Sequence, residues 1–355
     1  MRTGVATLDD PRAIEVADPG GMLRLVASTG SQLGRGYALG TAMRGVPEAD
    51  TDAVVVLGMG GSGIAGDVVR ALYADVVALP IVVNKGYAIP AFCGSRTLVL
   101  SASFSGETEE TLAATRAAEA RGCRVISLST GGALAKLAAE EGRAHVAIPA
   151  DAVMPRAALG YLVGACIGVM EAAGTIPAAG EDVAEAVTFA GGFAARLEPE
   201  RPTDDNEAKA TASWIHGRTP VIWGSEGLAE AAALRWKAQL NENAKVPAFQ
   251  ATLPELDHND VEGWSDGIGA GFVAVVLRHA EEHARIAARV GITRALVRAA
   301  GLEVREVRAS GASKLQRLLS LLLLGDFTSV YLAILRGVDP SPVPVISELK
   351  ERLRS

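Results

Sequence analysis

Short apolar runs rich in β-branched residues recur along this chain, and most lead through a turn toward a helical pattern. Residues 53–57 (Ala-Val-Val-Val-Leu) enter a glycine turn and then a helical pattern over 64–73. Runs at 81–83 and 97–101 follow, then a helix over about 109–120, a run at 124–128, a helix over 133–140 and a run at 145–148. Strands joined by helical crossovers lie parallel, and their sheet is covered on both faces.

The pattern then pauses and restarts. Residues 156–196 read as mostly helical, and 198–205 (Glu-Pro-Glu-Arg-Pro-Thr-Asp-Asp) form a polar break containing two prolines. Strands are expected at 221–223, 272–277 and 304–307, with helices over 228–240, 286–300 and 315–335. The expectation is an α/β protein of two doubly wound modules, each a central parallel sheet flanked by helices. The N-terminal domain would span 1–195, opening with a helical segment. The C-terminal domain would span 196–355 and end in a helical tail. A chain of 355 residues can supply a core to each.

Lys plus Arg number 34 against 41 Asp plus Glu, a net charge of -7. That balance argues against nucleic acid or an acidic membrane as partner, since both need a basic surface. Cys93, Cys123 and Cys166 are widely spaced among apolar neighbours, which suggests buried free thiols rather than a disulfide or zinc framework. No metal site is expected. The first residues, Met1 to Val5, lack an apolar signal core, and the greasiest stretches, 160–170 and 318–324, are short for a membrane span. A cytoplasmic protein is the expectation.

Two turns, each directly after an expected strand, carry the first chemical signal. One is Gly-Met-Gly-Gly-Ser-Gly-Ile-Ala-Gly over 58–66; the other is Ser-Phe-Ser-Gly-Glu-Thr over 103–108, which runs into a helix. A helix N-terminus offers unpaired N–H groups and a partial positive charge, so it binds anions without lysine. Glycine lets the backbone come close to a phosphate, and Ser62, Ser103, Ser105 and Thr108 add hydroxyls. The spacing Gly58-x-Gly60-x-x-Gly63 also fits a dinucleotide fingerprint, but the second strand runs into Asn84 and Lys85 rather than an acid for a ribose. Ser103 and Thr108 could also serve only as helix caps.

The second signal is Leu-Asn-Glu-Asn-Ala-Lys-Val-Pro-Ala over 240–248, followed at 253–264 by Leu-Pro-Glu-Leu-Asp-His-Asn-Asp-Val-Glu-Gly-Trp. Glu242 falls at an expected helix end, where the dipole disfavours negative charge and tends to raise a carboxyl pKa. That tuning suits a general base for a C–H proton. His258 can exchange a proton near neutrality. Taken singly, Glu242 reads more readily as a solvated glutamate and His258 as a structural histidine.

Together these segments resemble the sugar isomerase (SIS) domain and, within it, the bifunctional phosphoglucose/phosphomannose isomerases. The Ser-x-Ser-Gly-x-Thr turn stands here as Ser103, Ser105, Gly106 and Thr108, with Glu107 at its variable position. Asn241-Glu-Asn-Ala-Lys-Val-Pro247, His258-Asn259, Met154-Pro-Arg156, and the ending Gly337-Val-Asp-Pro-Ser-Pro-Val343 with Ile346-Ser-Glu-Leu-Lys350 fit the same family in order along nearly the whole chain. The resemblance implies a homodimer with shared active sites and a hexose 6-phosphate substrate, without cofactor. It implies Glu242 as the base between C1 and C2, His258 as a ring-opening residue supplied across the dimer, and Arg156 as the cation beside the enediolate. Lys350 would assist ring opening, with Lys314 as rival, and Gly61, Ser62, Ser103, Ser105 and Thr108 would bind the phosphate. Ser341 or Val343 would hold the position that admits mannose. A non-catalytic sugar-phosphate sensor on the same fold would bind sugar with or without the carboxylate.

Overall fold

The computed structural model describes residues 8–43, 50–152, 154–265, 267 and 269–354, so the reading of residues 1–5 lies outside the described residues. Three helices come first: α1 (Pro11–Ala17), α2 (Met22–Ala27) and α3 (Thr29–Thr41). The first sheet is built from β1 (Ala53–Leu57), α4 (Gly60–Tyr73), β2 (Ile81–Asn84), β3 (Thr97–Ala102), α5 (Glu109–Ala120), β4 (Arg124–Ser129), α6 (Gly132–Glu140) and β5 (His145–Ala147). Helices α7 (Leu159–Ala172), α8 (Gly180–Ala194) and α9 (Glu207–Ile215) lead to the second half. That half contains β6 (Thr219–Ser225), α10 (Leu228–Glu242), β7 (Phe249–Leu253), β8 (Phe272–Arg278), α11 (Ala284–Ala299), β9 (Glu303–Arg308), α12 (Lys314–Leu335) and α13 (Pro344–Arg354).

Both sheets are parallel throughout, in the orders β2-β1-β3-β4-β5 and β7-β6-β8-β9. Strands β1 and β3 are buried along their whole length, and β1 accordingly reads as an unbroken apolar run rather than an alternating one. In each sheet the first strand sends its crossover to one side while the next pairing lies on the other. The chain therefore reverses between β1 and β3, and again between β6 and β8, and at these points the strand ends open into a crevice.

The first sheet lies before residue 196 and the second after it, but one apolar core runs through both, joining Val54 and Val56 to Ile222, Val273 and Val275. Helix α12 is its spine. By length and composition it could cross a membrane, yet 94% of its apolar window is buried inside the protein. It packs so closely on α10 that a Cβ on Gly325 would fall 2.2 Å from the indole nitrogen of Trp236.

Strand β7 was not expected from the sequence. Its five residues, Phe-Gln-Ala-Thr-Leu, lie between prolines and carry little apolar signal; pairing with β6, from Val221↔Phe249 to Ser225↔Leu253, makes them a strand.

Candidate active site

The glycine turn after β1 is shaped to let another backbone in. A Cβ on Gly61 would lie 3.0 Å from the Pro155 carbonyl oxygen and 3.1 Å from the Cα of Arg156, so this side of the turn rests on the Met154–Arg156 segment. Ser62 is buried, and its hydroxyl accepts from the Phe104 N–H at 3.1 Å, tying the turn after β1 to the turn after β3.

The second turn is folded on itself. Ser103 Oγ shares a hydrogen with Thr108 Oγ1 at 2.9 Å and accepts from the Gly106 N–H at 3.1 Å; Ser105 Oγ accepts from the Glu107 N–H at 3.2 Å. Thr108 occupies the cap position of α5 but its side chain does not cap the helix, and Met59 leaves α4 uncapped by a side chain as well. Two helix N-termini thus meet hydroxyls at the β1/β3 crevice, an arrangement suited to an anion. Neither hydroxyl caps α5: Thr108 stands at the cap position without a side-chain cap bond, and Ser103 bonds within its own turn.

Glu107 has a separate task. Its carboxylate accepts from the Ala133 N–H at 2.8 Å, at the start of α6. Gly106, at φ +71°, must be glycine because a Cβ there would stand 1.9 Å from the Gly131 carbonyl oxygen. The Gly131–Gly132 pair, which the sequence reading passed over, supports the turn from behind.

Glu242 is the last residue of α10, and Arg156 Nη1 stands 3.7 Å from its Oε2. Arg156 is buried and held on three sides. Its Nε donates to Asn243 Oδ1 at 2.7 Å, and its Nη2 donates to the carbonyls of Pro340 and Ser341 at 2.7 and 2.6 Å. Burial draws its pKa below the ordinary arginine value, with Glu242 pulling the other way and Arg235 adding to the depression. Arg235 donates to the Arg156 carbonyl at 2.6 Å and forks onto Asp326 of α12 at 2.9 Å through both Nε and Nη2. Asn243 Nδ2 donates to Ser329 Oγ at 2.9 Å, so α12 orients both the arginine and the turn that follows the acid.

Lys245 was not singled out from the sequence, but it lies in this cluster. It takes a left-handed backbone, φ 55°, and its Nζ donates to the carbonyls of Glu242 and Pro340. Burial, then Arg156, lowers its pKa. A lysine inside the Asn-Glu-Asn segment was the one signal that could have found it.

Other expected residues are not gathered here. His258 closes a short 3-10 turn after β7 and is exposed. Because β7 runs parallel to β6 and α10 runs back between them, Glu242 lies toward the end where β6 begins and His258 beyond the end where it finishes. The five residues of β7 alone span roughly 16 Å. Lys350 sits on the exposed helix α13, and Lys314 pairs with Asp75 at the start of α12. Ser341 is buried with its hydroxyl against Gly20, where a Cβ would lie 2.1 Å away, and that oxygen has no hydrogen-bond partner among the described residues; Val343 is half-buried.

Residues 204–353 match the bacterial phospho-glucose isomerase C-terminal SIS domain family. A bifunctional phosphoglucose/phosphomannose isomerase of Caldicellulosiruptor bescii is 36% identical over 335 residues, covering 94% of this chain and 98% of that one. A protein of the same name from Thermoplasma volcanium is 35% identical over 305 residues, covering 85% and 91%. In fold the chain is similar to a glucose-6-phosphate isomerase like protein from Thermus thermophilus, with a TM-score of 0.63 at 19% identity over 96% of this chain and 99% of that one. At this identity over most of both chains, the chain belongs to the bifunctional phosphoglucose/phosphomannose isomerase family.

Proposed function

We propose that this protein interconverts glucose 6-phosphate and mannose 6-phosphate with fructose 6-phosphate through an enediolate. The observation that carries the proposal is the Arg156–Glu242 pair, with the Arg156 backbone packed against Gly61 of the glycine turn that opens α4. The phosphate would rest on the N-termini of α4 and α5, with Gly61, Ser62, Ser103, Ser105 and Thr108 around it. Gripping a remote group orients the reacting carbons, which lie several bonds away.

Glu242 then takes the proton from C2 of the opened aldose and returns it to C1, while the hydroxyl proton passes from O2 to O1. Arg156 faces the developing oxyanion. It is already desolvated and fixed by three acceptors, so little reorganisation is needed when charge appears. The reaction as written moves protons only and calls for no redox cofactor.

His258 would come from a partner subunit, since within one chain it stands at the far end of the second sheet from Glu242. Lys350 would act from α13 once that helix is docked, and Ser341 or Val343 would border the sugar. Acceptance of mannose, the dimer and a cytoplasmic setting belong to the same proposal. The setting draws support from three buried free cysteines, which suit a reducing compartment. The test is turnover of the three hexose 6-phosphates with and without EDTA. Conversion of both aldoses, unchanged by chelator, is expected; no conversion of either would overturn the reading.

A further inference from the structure

The two sheets present the same crevice in the same place and fill it differently. In the first, the loops after β1 and β3 are joined through a hydroxyl, Ser62 to the Phe104 N–H. In the second, the matching loops after β6 and β8 are joined through a carboxylate. Glu282 Oε1 accepts from the Ser225 hydroxyl at 2.6 Å and from the His279 N–H at 3.1 Å. Arg278 Nε donates to its two oxygens at 2.8 and 2.6 Å, and Arg278 Nη2 stands 2.5 Å from Oε2. His279 Nε2 lies 2.9 Å from the Glu226 carbonyl, closing the two loops around the group.

A hydroxyl, a backbone amide and a guanidinium fork converging on one anion form the donor set of an oxyanion site. The side chains of Arg278 and Glu282 are each 5% exposed, so the set is buried and built. Glu306 also lies 3.4 Å from Arg278 Nη1, but it is shared with Arg294 and Arg308, so the cluster stays rich in positive charge around Glu282. We infer that the C-terminal module keeps an anion site at its β6/β8 crevice and that the Glu282 carboxylate is its built-in ligand. With that side chain removed, the site takes a small carboxylate or phosphate from solution.

Two further observations agree. A cavity of about 480 Å³ borders the same two loops at Glu226, Gly227 and His279. Burial raises the Glu282 pKa, but the bonds from Arg278, Ser225 and the His279 N–H outweigh it and hold the acid below its ordinary value, so the occupant is ionised. One consequence is that each chain offers a substrate phosphate one open crevice, since the other is already filled.

The test is thermal unfolding of full-length wild type, E282A and E282Q in chloride, acetate and inorganic phosphate at matched ionic strength. E282A is expected to melt below wild type in chloride. It should then recover by several degrees, saturably, in acetate or phosphate, as binding to the folded state alone requires. Wild type and E282Q, whose β6/β8 crevice stays filled, should gain only what the β1/β3 crevice contributes. The crevice at β1/β3 is common to all three proteins, so its contribution cancels. An E282A that gains nothing from either anion, including one that stays unfolded in all three salts, overturns the inference; so does equal stabilisation of all three proteins.

Discussion

Arg156 Nη1 faces Glu242 Oε2 across 3.7 Å, although the two residues come from different halves of the chain. The arginine enters from the short helical turn that follows the first sheet, and the glutamate from the last residue of α10 in the second. One side of the guanidinium is bound to Asn243 and to the carbonyls of Pro340 and Ser341, while Nη1 is turned toward the acid. The pair is therefore a junction between the two sheets as well as a candidate catalytic couple.

Replacing Glu242 by glutamine keeps its shape and removes its basicity. General-base catalysis contributes on the order of 10²- to 10⁴-fold, so kcat for E242Q should fall by about that factor with little change in KM. Steady-state assays with fructose 6-phosphate measure this, and wild-type turnover would show that another group moves the proton.

Glu242 and His258 lie toward opposite ends of the second sheet, so a site needing both would draw them from two chains. E242Q and H258A should each be nearly inactive alone. Mixing them under conditions that exchange subunits should restore activity, because a mixed dimer holds one site with both residues intact. If the mixture stays as inactive as its parents, the shared site is wrong.

The fork from Arg235 to Asp326 is buried on both sides and also carries the Arg156 carbonyl. Removing one partner strands a charge in the core, and D326N should lower unfolding free energy in urea by roughly 3–5 kcal/mol. Replacing both residues by apolar ones of similar volume should recover much of that loss while leaving turnover low, because Arg156 would then lose the donor on its carbonyl. This outcome would separate stability from positioning.

Acid should weaken the fold partly through Glu282. Its pKa in the folded protein lies below the ordinary glutamate value of 4.5, so the unfolded chain takes up the proton first. Its stabilisation is therefore complete above about pH 4.5 and is lost as pH falls through the folded value. The stability difference between wild type and E282Q should shrink as pH falls through that window, as followed by denaturant titration. A difference independent of pH would mean that the carboxylate charge plays no part.

Much of this molecule was legible from residue order. Strand β1 and the apolar stretches of β3, β4, β6 and β8 were readable because the buried part of a parallel strand is largely apolar. The two hydroxyl turns were readable because close backbone approach leaves glycine as the only choice at positions such as Gly106. Glu107 was not: only the fold brings the start of α6 to its carboxylate. Strand β7 was hidden because its partner, not its composition, makes it a strand.

Sequence alone thus determined the chemistry available to the site, namely an acid at a helix end, an arginine after the first sheet and hydroxyls at strand ends. The tertiary structure decided which of these groups meet. It set Arg156 against Glu242, added Lys245 beside them, and left His258 and Lys350 elsewhere. The reason is that a side chain's type is local, whereas its neighbours depend on how two sheets close around α12, and that closure is a property of the whole core.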